Sequence, residues 1–233
     1  MRSSRFSLLV TALIVGLFAT RYWISHIPDP IPPMPAPAPT SIELALTVAE
    51  AVDTDGDGIG SCFAIQERFG FVAFLTCAHV AECDIEVVAM SNGDRAPVVA
   101  RVVNDQIDVG LIWTRPNPHL KSTLLPLAEK NPPRGAEIIL SGYPCACGLW
   151  ASQGLLGSPD AKAGAGISWS SAPIYYGCSG GPVLFEGRVI GVARGIQVDH
   201  YRRQIVSTLS QVVMIDSFRD WIQKTLTVDP GVK

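Results

Sequence analysis

Charge is scarce in this chain and neither sign dominates: 18 Lys and Arg stand against 21 Asp and Glu over 233 residues, a net charge of −3. That balance gives no basic footprint for nucleic acid and no polyanionic role, so nucleic acid is not expected as a partner. Histidine is rarer still, at four. His26 precedes a proline run, His119 sits in the turn Asn117-Pro118-His119, and His200 reads as a hairpin tip, which leaves His79 as the candidate for chemistry. Calcium is also poorly served. Asp53, Asp55, Asp57 and Gly58 imitate the opening of a calcium loop, but Ala64 stands where the bidentate glutamate belongs, so the segment reads as a turn. The pair Cys145-x-Cys147 is narrower than the usual zinc spacing. No metal and no cofactor is expected.

What the chain does have is a 48 % hydrophobic composition with 21 glycines, which suits a β-rich globule of one domain. Alternating and apolar runs mark strands at Glu43–Val52, Gly60–Gln66, Phe71–Cys77, Ile85–Met90, Pro97–Val103 and Val109–Trp113. A proline-laden connection, Arg115 to Arg134, separates them from a second set: Glu137–Ser141, Ser152–Leu156, Pro182–Phe185, Val189–Ile196 and Gln204–Leu209. Ile215, Phe218, Ile222 and Leu226 recur at helical spacing, which predicts a closing helix over Met214–Leu226.

The first 41 residues read as something other than globule. Arg2 and Arg5 precede the uncharged run Leu8 to Ala19, and Arg21, Tyr22, Trp23 and Ile24 follow it. Residues 1–25 therefore fit a signal anchor, with a cleaved signal peptide as the alternative. Arg2 and Arg5 keep the N-terminus cytoplasmic and send the rest across, into a periplasmic or extracellular space. Residues 26–41 carry seven prolines from Pro28 to Pro39 and read as a stiff linker spanning roughly 35 Å. Residues 42–228 hold the globular domain. Six cysteines would meet an oxidising compartment there. Cys62 and Cys77 lie on consecutive strands joined by the turn Glu67 to Gly70, so a cross-hairpin disulfide is the first expectation there, with free buried thiols as the alternative for the cysteines.

The strongest motif is Gly177-Cys178-Ser179-Gly180-Gly181-Pro182, read with Thr76-Cys77-Ala78-His79 upstream. Flanking glycines let the backbone turn sharply beside a serine and aim its N–H groups at a developing oxyanion. A serine hydroxyl needs a base, itself oriented by a third group. His79 and Asp108 can fill those roles, with Asp105 as the competing acid.

The order histidine, aspartate, serine is that of chymotrypsin. The blocks Gly60-Ser61-Cys62-Phe63, Leu75 to Val80, Asp108-Val109-Gly110-Leu111-Ile112 and Gly177 to Val183 resemble a chymotrypsin-fold, trypsin-like serine peptidase of the compact bacterial HtrA/Deg branch. Ser141-Gly142-Tyr143-Pro144 is a weaker fourth block. The resemblance implies an all-β fold of two six-stranded antiparallel barrels with a C-terminal helix. It implies a serine endopeptidase acting on proteins or peptides through Ser179, His79 and Asp108, which directly precedes an apolar strand as the family's aspartate does. The oxyanion hole would be formed by the N–H groups of Gly177 and Ser179. Pro173, Ile174 and Ser207 would wall an apolar or small substrate pocket. The chain departs from many digestive relatives in carrying Cys178, not aspartate, before the serine, so activation by pairing with a cut N-terminus is not implied. It also ends too soon for the PDZ domain of HtrA proteins. The resemblance brings Cys178 beside Cys145 or Cys147, where a disulfide would brace the oxyanion loop. The alternative to an enzyme is a protease-fold binding module with an incompetent trio.

Overall fold

Runs of apolar and β-branched residues bounded by glycine turns make strands of most of this chain. The computed structural model describes residues 47–116, 124–159, 166–199 and 204–231. The expected anchor, the proline-rich linker, His26, His119 and His200 lie outside them, as does the expected start of the first strand. Among the described residues no helix is long and apolar enough to cross a membrane.

The described residues form twelve strands. The first six are β1 (Val48–Asp53), β2 (Gly58–Arg68), β3 (Phe71–Thr76), β4 (Ile85–Met90), β5 (Arg95–Asn104) and β6 (Val109–Thr114). The second six are β7 (Glu137–Gly142), β8 (Trp150–Pro159), β9 (Ile167–Ser170), β10 (Pro182–Phe185), β11 (Arg188–Asp199) and β12 (Gln204–Met214). Each set closes on itself as an antiparallel barrel. Around the rings the order is β1-β2-β3-β6-β5-β4 and β7-β8-β9-β12-β11-β10, so the second barrel repeats the connectivity of the first. A four-residue helical turn, α1 (Ala78–Ala81), follows β3, and the helix α2 (Ile215–Thr225) closes the chain.

Closure leaves no sheet edge, and alternate residues of each strand fill the barrel interior. Phe63, Phe74, Leu75, Leu111, Ile112 and Trp113 are buried in the first barrel. Ile138, Leu140, Val183, Ile190 and Val212 are buried in the second. Each large side chain contributes about 1.5–3 kcal/mol of burial. The stripe expected on α2 is realised, because Phe218, Ile222 and Leu226 join the first barrel's core.

Two expectations are corrected here. The strand pattern missed β9, whose four residues Ile-Ser-Trp-Ser carry as much hydroxyl as apolar surface; Ser168 and Ser170 are nonetheless buried. The expected disulfides are not formed, since all six cysteines are free thiols. Phe63 pairs with Leu75 across β2 and β3, which sets Cys62 toward Thr76 and puts Cys77 on the opposite face. Cys77 Sγ instead donates to the carbonyl of Ala193 in the second barrel, at 3.1 Å. Cys178 is buried whereas Cys145 and Cys147 are exposed.

Candidate active site

The three residues singled out by the sequence stand at strand ends. His79 is the second residue of α1, directly beyond β3; Asp108 ends the turn before β6; Ser179 lies in the loop before β10. β3 and β6 are neighbours, with Thr76 opposite Gly110, so their ends bring histidine and aspartate together. His79 Nδ1 lies 2.9 Å from Asp108 Oδ1 and 3.1 Å from Oδ2. The His79 backbone N–H donates to the same Oδ1 at 3.2 Å. The competing Asp105 sits earlier in that turn and is exposed.

Asp108 has a left-handed backbone, φ +53°, uncommon for a residue with a side chain. Its carboxylate has a third donor that no sequence motif announces: Arg194 Nε, from β11, at 2.9 Å from Oδ2. Burial alone pushes the Asp108 carboxyl up. The hydrogen bonds and charge of His79, with the Arg194 guanidinium, outweigh it and hold the group below the usual aspartate range. His79 remains half-open to solvent, at 48 % exposure, so it is reachable from outside.

Ser179 Oγ donates to the carbonyl of Arg194 at 3.0 Å. Among the described residues no hydrogen bond joins it to His79. Arg194 thus touches Ser179 through its main chain and Asp108 through its side chain. A polar bond from barrel to barrel fixes the loop itself, as Ser61 N–H donates to Ser179 O at 2.7 Å.

The two N–H groups expected to form an oxyanion hole are oriented through the carbonyls of their own peptide units. N–H and C=O point in opposite directions across a trans peptide. The Tyr176 carbonyl accepts from Cys145 N–H at 2.8 Å, which turns the Gly177 N–H the other way. The Cys178 carbonyl accepts from Gly181 N–H at 3.0 Å, which does the same for Ser179 N–H. Neither N–H has an acceptor among the described residues. Gly177 has φ +90°, and a Cβ there would stand 2.2 Å from the Tyr143 carbonyl oxygen, so glycine is required. The bracing that a Cys178 disulfide was expected to give comes instead from the Cys145 main chain and from Ser61. Burial pushes the Cys178 thiol up, which leaves it unreactive.

Of the expected pocket residues, Pro173 is half-buried and its carbonyl accepts from Ser152 Oγ at 2.6 Å. Ile174 packs into the second barrel's core. The side chain of Ser207 lies outside the described part. The β11–β12 register jumps from Ile196 opposite Ser210 to Gln197 opposite Val206, which leaves Ser210 as the β12 residue facing Ile196. Cys77, His79 and Asp108 have ligand atoms within 4.8 Å of one another, a spacing a metal ion could bridge. The Arg194 guanidinium already occupies Asp108 Oδ2, and burial raises the Cys77 thiol well above its ordinary range, so this group is poorly suited to a cation.

Two closed barrels of one connectivity, with a histidine–aspartate pair on the first and a glycine-flanked serine on the second, define a serine endopeptidase. The chain belongs to the trypsin-like peptidase domain family, whose model matches residues 60–192. Solved structures with the same fold include a serine-to-alanine mutant of Rv3671c from M. tuberculosis in its inactive form. It shares 19 % identity at a TM-score of 0.63, over 86 % of this chain and 99 % of that one. The active form of the Rv3671c protease matches at 19 % identity and TM-score 0.61, over 87 % and 95 %. A serine endoprotease from Yersinia pestis matches at 18 % and 0.62, over 82 % and 68 %. No curated protein matches the chain significantly.

Proposed function

We propose that this endopeptidase cuts protein or peptide chains through a triad of Ser179, His79 and Asp108. Asp108 holds the imidazole tautomer and stabilises the imidazolium. His79 takes the Ser179 proton as the hydroxyl attacks the scissile carbonyl, then delivers it to the leaving amine. The N–H groups of Gly177 and Ser179 receive the oxyanion, each worth about 3 kcal/mol in the transition state. The observation that carries the reading is the 2.9 Å contact between His79 Nδ1 and Asp108 Oδ1, on a histidine whose face is open to solvent.

Before attack, the Ser179 hydroxyl must leave the Arg194 carbonyl and turn about χ1 toward His79. That exchange replaces one hydrogen bond worth about 1 kcal/mol by another. Catalytic hydrogen bonds are often incomplete without substrate. The resting orientation of the serine favours a second reading, a binding module in which the turn never occurs. A fluorophosphonate separates the two. As an endopeptidase the folded wild type is labelled at Ser179 and His79→Ala is not; a folded wild type that resists labelling leaves the binding module. Pro173, Ile174 and Ser207 would favour a small or apolar side chain beside the cleaved bond, testable with a library of peptide substrates.

We also propose that residues 1–25 tether the barrels outside the cytoplasmic membrane through the linker 26–41. Arg2 and Arg5 ahead of the apolar run support this. Alkaline phosphatase joined after Lys233 is then active in a bacterial host and stays with the membranes. An inactive fusion, or an active one found only in the soluble fraction, overturns the tether.

A further inference from the structure

Resting on that reading of the triad, we propose that Arg194 is its positioning residue: it fixes Asp108 and withholds part of the carboxylate's charge from the imidazole, extending activity to lower pH.

β11 is otherwise apolar where it passes the site: Val189, Ile190, Val192 and Ala193 are all fully buried. Arg194 interrupts that run and reaches sideways, 33 % exposed, to Asp108 Oδ2 at 2.9 Å. Its Nη1 donates to Gln211 Oε1 on β12 at 3.2 Å, so the guanidinium is held at two points. A fork so held is a fixed cation. Asp108 without it would have His79 alone as its cationic partner. With it, Oδ1 takes the imidazole and the backbone N–H of His79, while Oδ2, 3.1 Å from the same imidazole nitrogen, also faces a permanent charge.

Arg101 of β5 donates to the carbonyls of Ala81 and Cys83 at the far end of α1. The acidic groups around the pair act in the opposite sense to Arg194. Glu82, one residue past α1, and Asp105, in the turn before Asp108, share a hydrogen bond that raises the Glu82 carboxyl, with the charges of Asp105 and Asp108 adding to it. Any negative charge they carry favours a charged imidazole. Cys77, buried behind Asp108, is a neutral thiol. Arg194 is the cation bonded to the Asp108 carboxylate itself. A charged imidazole cannot take the serine proton, so a cation close to the pair keeps the base in its working form as pH falls. At an effective dielectric constant of about 20, a unit charge on the far side of one carboxylate shifts a proton equilibrium by about one pH unit or more.

The serine's resting acceptor is the Arg194 main chain, so side-chain substitutions leave it in place. The test is the second-order rate of fluorophosphonate labelling of the full chain from pH 5 to 9, for wild type, Arg194→Lys, Arg194→Met and Arg194→Gln. The acid limb of the profile is expected to move up by about one pH unit in the Met and Gln variants, and to stay within about 0.3 unit of wild type in the Lys variant. A purely structural arginine would lower rates at all pH values alike. Coincident acid limbs in folded wild type and Met variant overturn the proposal. If the Met variant fails to fold, the Gln variant, which keeps an amide donor, decides in the same way. A wild type unlabelled at any pH removes the triad reading and this inference with it. A labelled wild type with pH-indifferent variants removes only the role of Arg194.

Discussion

Ser61 Oγ donates to the carbonyl of Gly177 at 2.7 Å and accepts from the backbone N–H of Tyr143 at 2.9 Å. One hydroxyl from β2 of the first barrel therefore joins two segments of the second: the end of β7 and the loop that presents Ser179. In Ser61→Ala both partners lose their bond in a buried setting. The expected cost is about 1–3 kcal/mol of stability, with a roughly tenfold loss in kcat/KM from a looser oxyanion loop. Denaturant titration and peptide hydrolysis measure the two effects. An unaltered titration midpoint would show that the bridge contributes nothing.

Gly177→Ala isolates the loop without touching any side chain. The added methyl meets the Tyr143 carbonyl and the residue resists its φ of +90°, so the 176–177 peptide must turn and carry its N–H off target. Fluorophosphonate labelling of Ser179 should fall at least ~100-fold, by analogy with removal of one oxyanion donor. The circular dichroism spectrum should stay that of a β-protein. Full labelling of the Ala variant would exclude Gly177 N–H as a donor to the oxyanion.

Asp108 makes stability depend on acid. Its folded-state pKa lies below the ordinary value of 3.8, so the folded form holds the proton less tightly than the unfolded one. The contribution is complete above pH 3.8 and is lost as pH falls through the folded-state value. Asp108→Asn should remove this part of the acid dependence and slow catalysis roughly 10⁴-fold. Melting curves from pH 2 to 5 provide the comparison. Wild type and Asn variant losing stability in parallel would refute the assignment.

The thiols sort by burial. Cys145 and Cys147 are exposed, Cys83 is intermediate, and Cys62, Cys77 and Cys178 are buried. A maleimide should modify Cys145 and Cys147 quickly and Cys83 more slowly. The three buried thiols should react only after denaturation. Peptide mapping that finds Cys178 modified as fast as Cys145 would contradict the packing of the loop that presents Ser179.

The parts of this molecule that were legible in the sequence are those that local chemistry dictates. Glycines around Ser179, the apolar strand before His79 and the one after Asp108 announce themselves within a few residues. The twelve-strand count came from resemblance to a family, since pattern alone found eleven; β9 is short and half serine. Arg194 and Ser61 were not legible. Each reads as an ordinary polar residue in a strand, and its role lies in partners 86 and 116 positions away in the chain. The disulfide expectation failed for a related reason. Strand proximity is visible in sequence, but the face each cysteine presents depends on a register that only the folded barrel fixes.

The division of the site between two similar rings bears on how such an enzyme is made. With the proposed triad, the half carrying histidine and aspartate emerges first during synthesis and has no nucleophile. The half carrying the serine, on its own, has no base. On that reading a growing chain is harmless to itself and its neighbours until the halves have docked, and its cutting power arrives together with the finished fold.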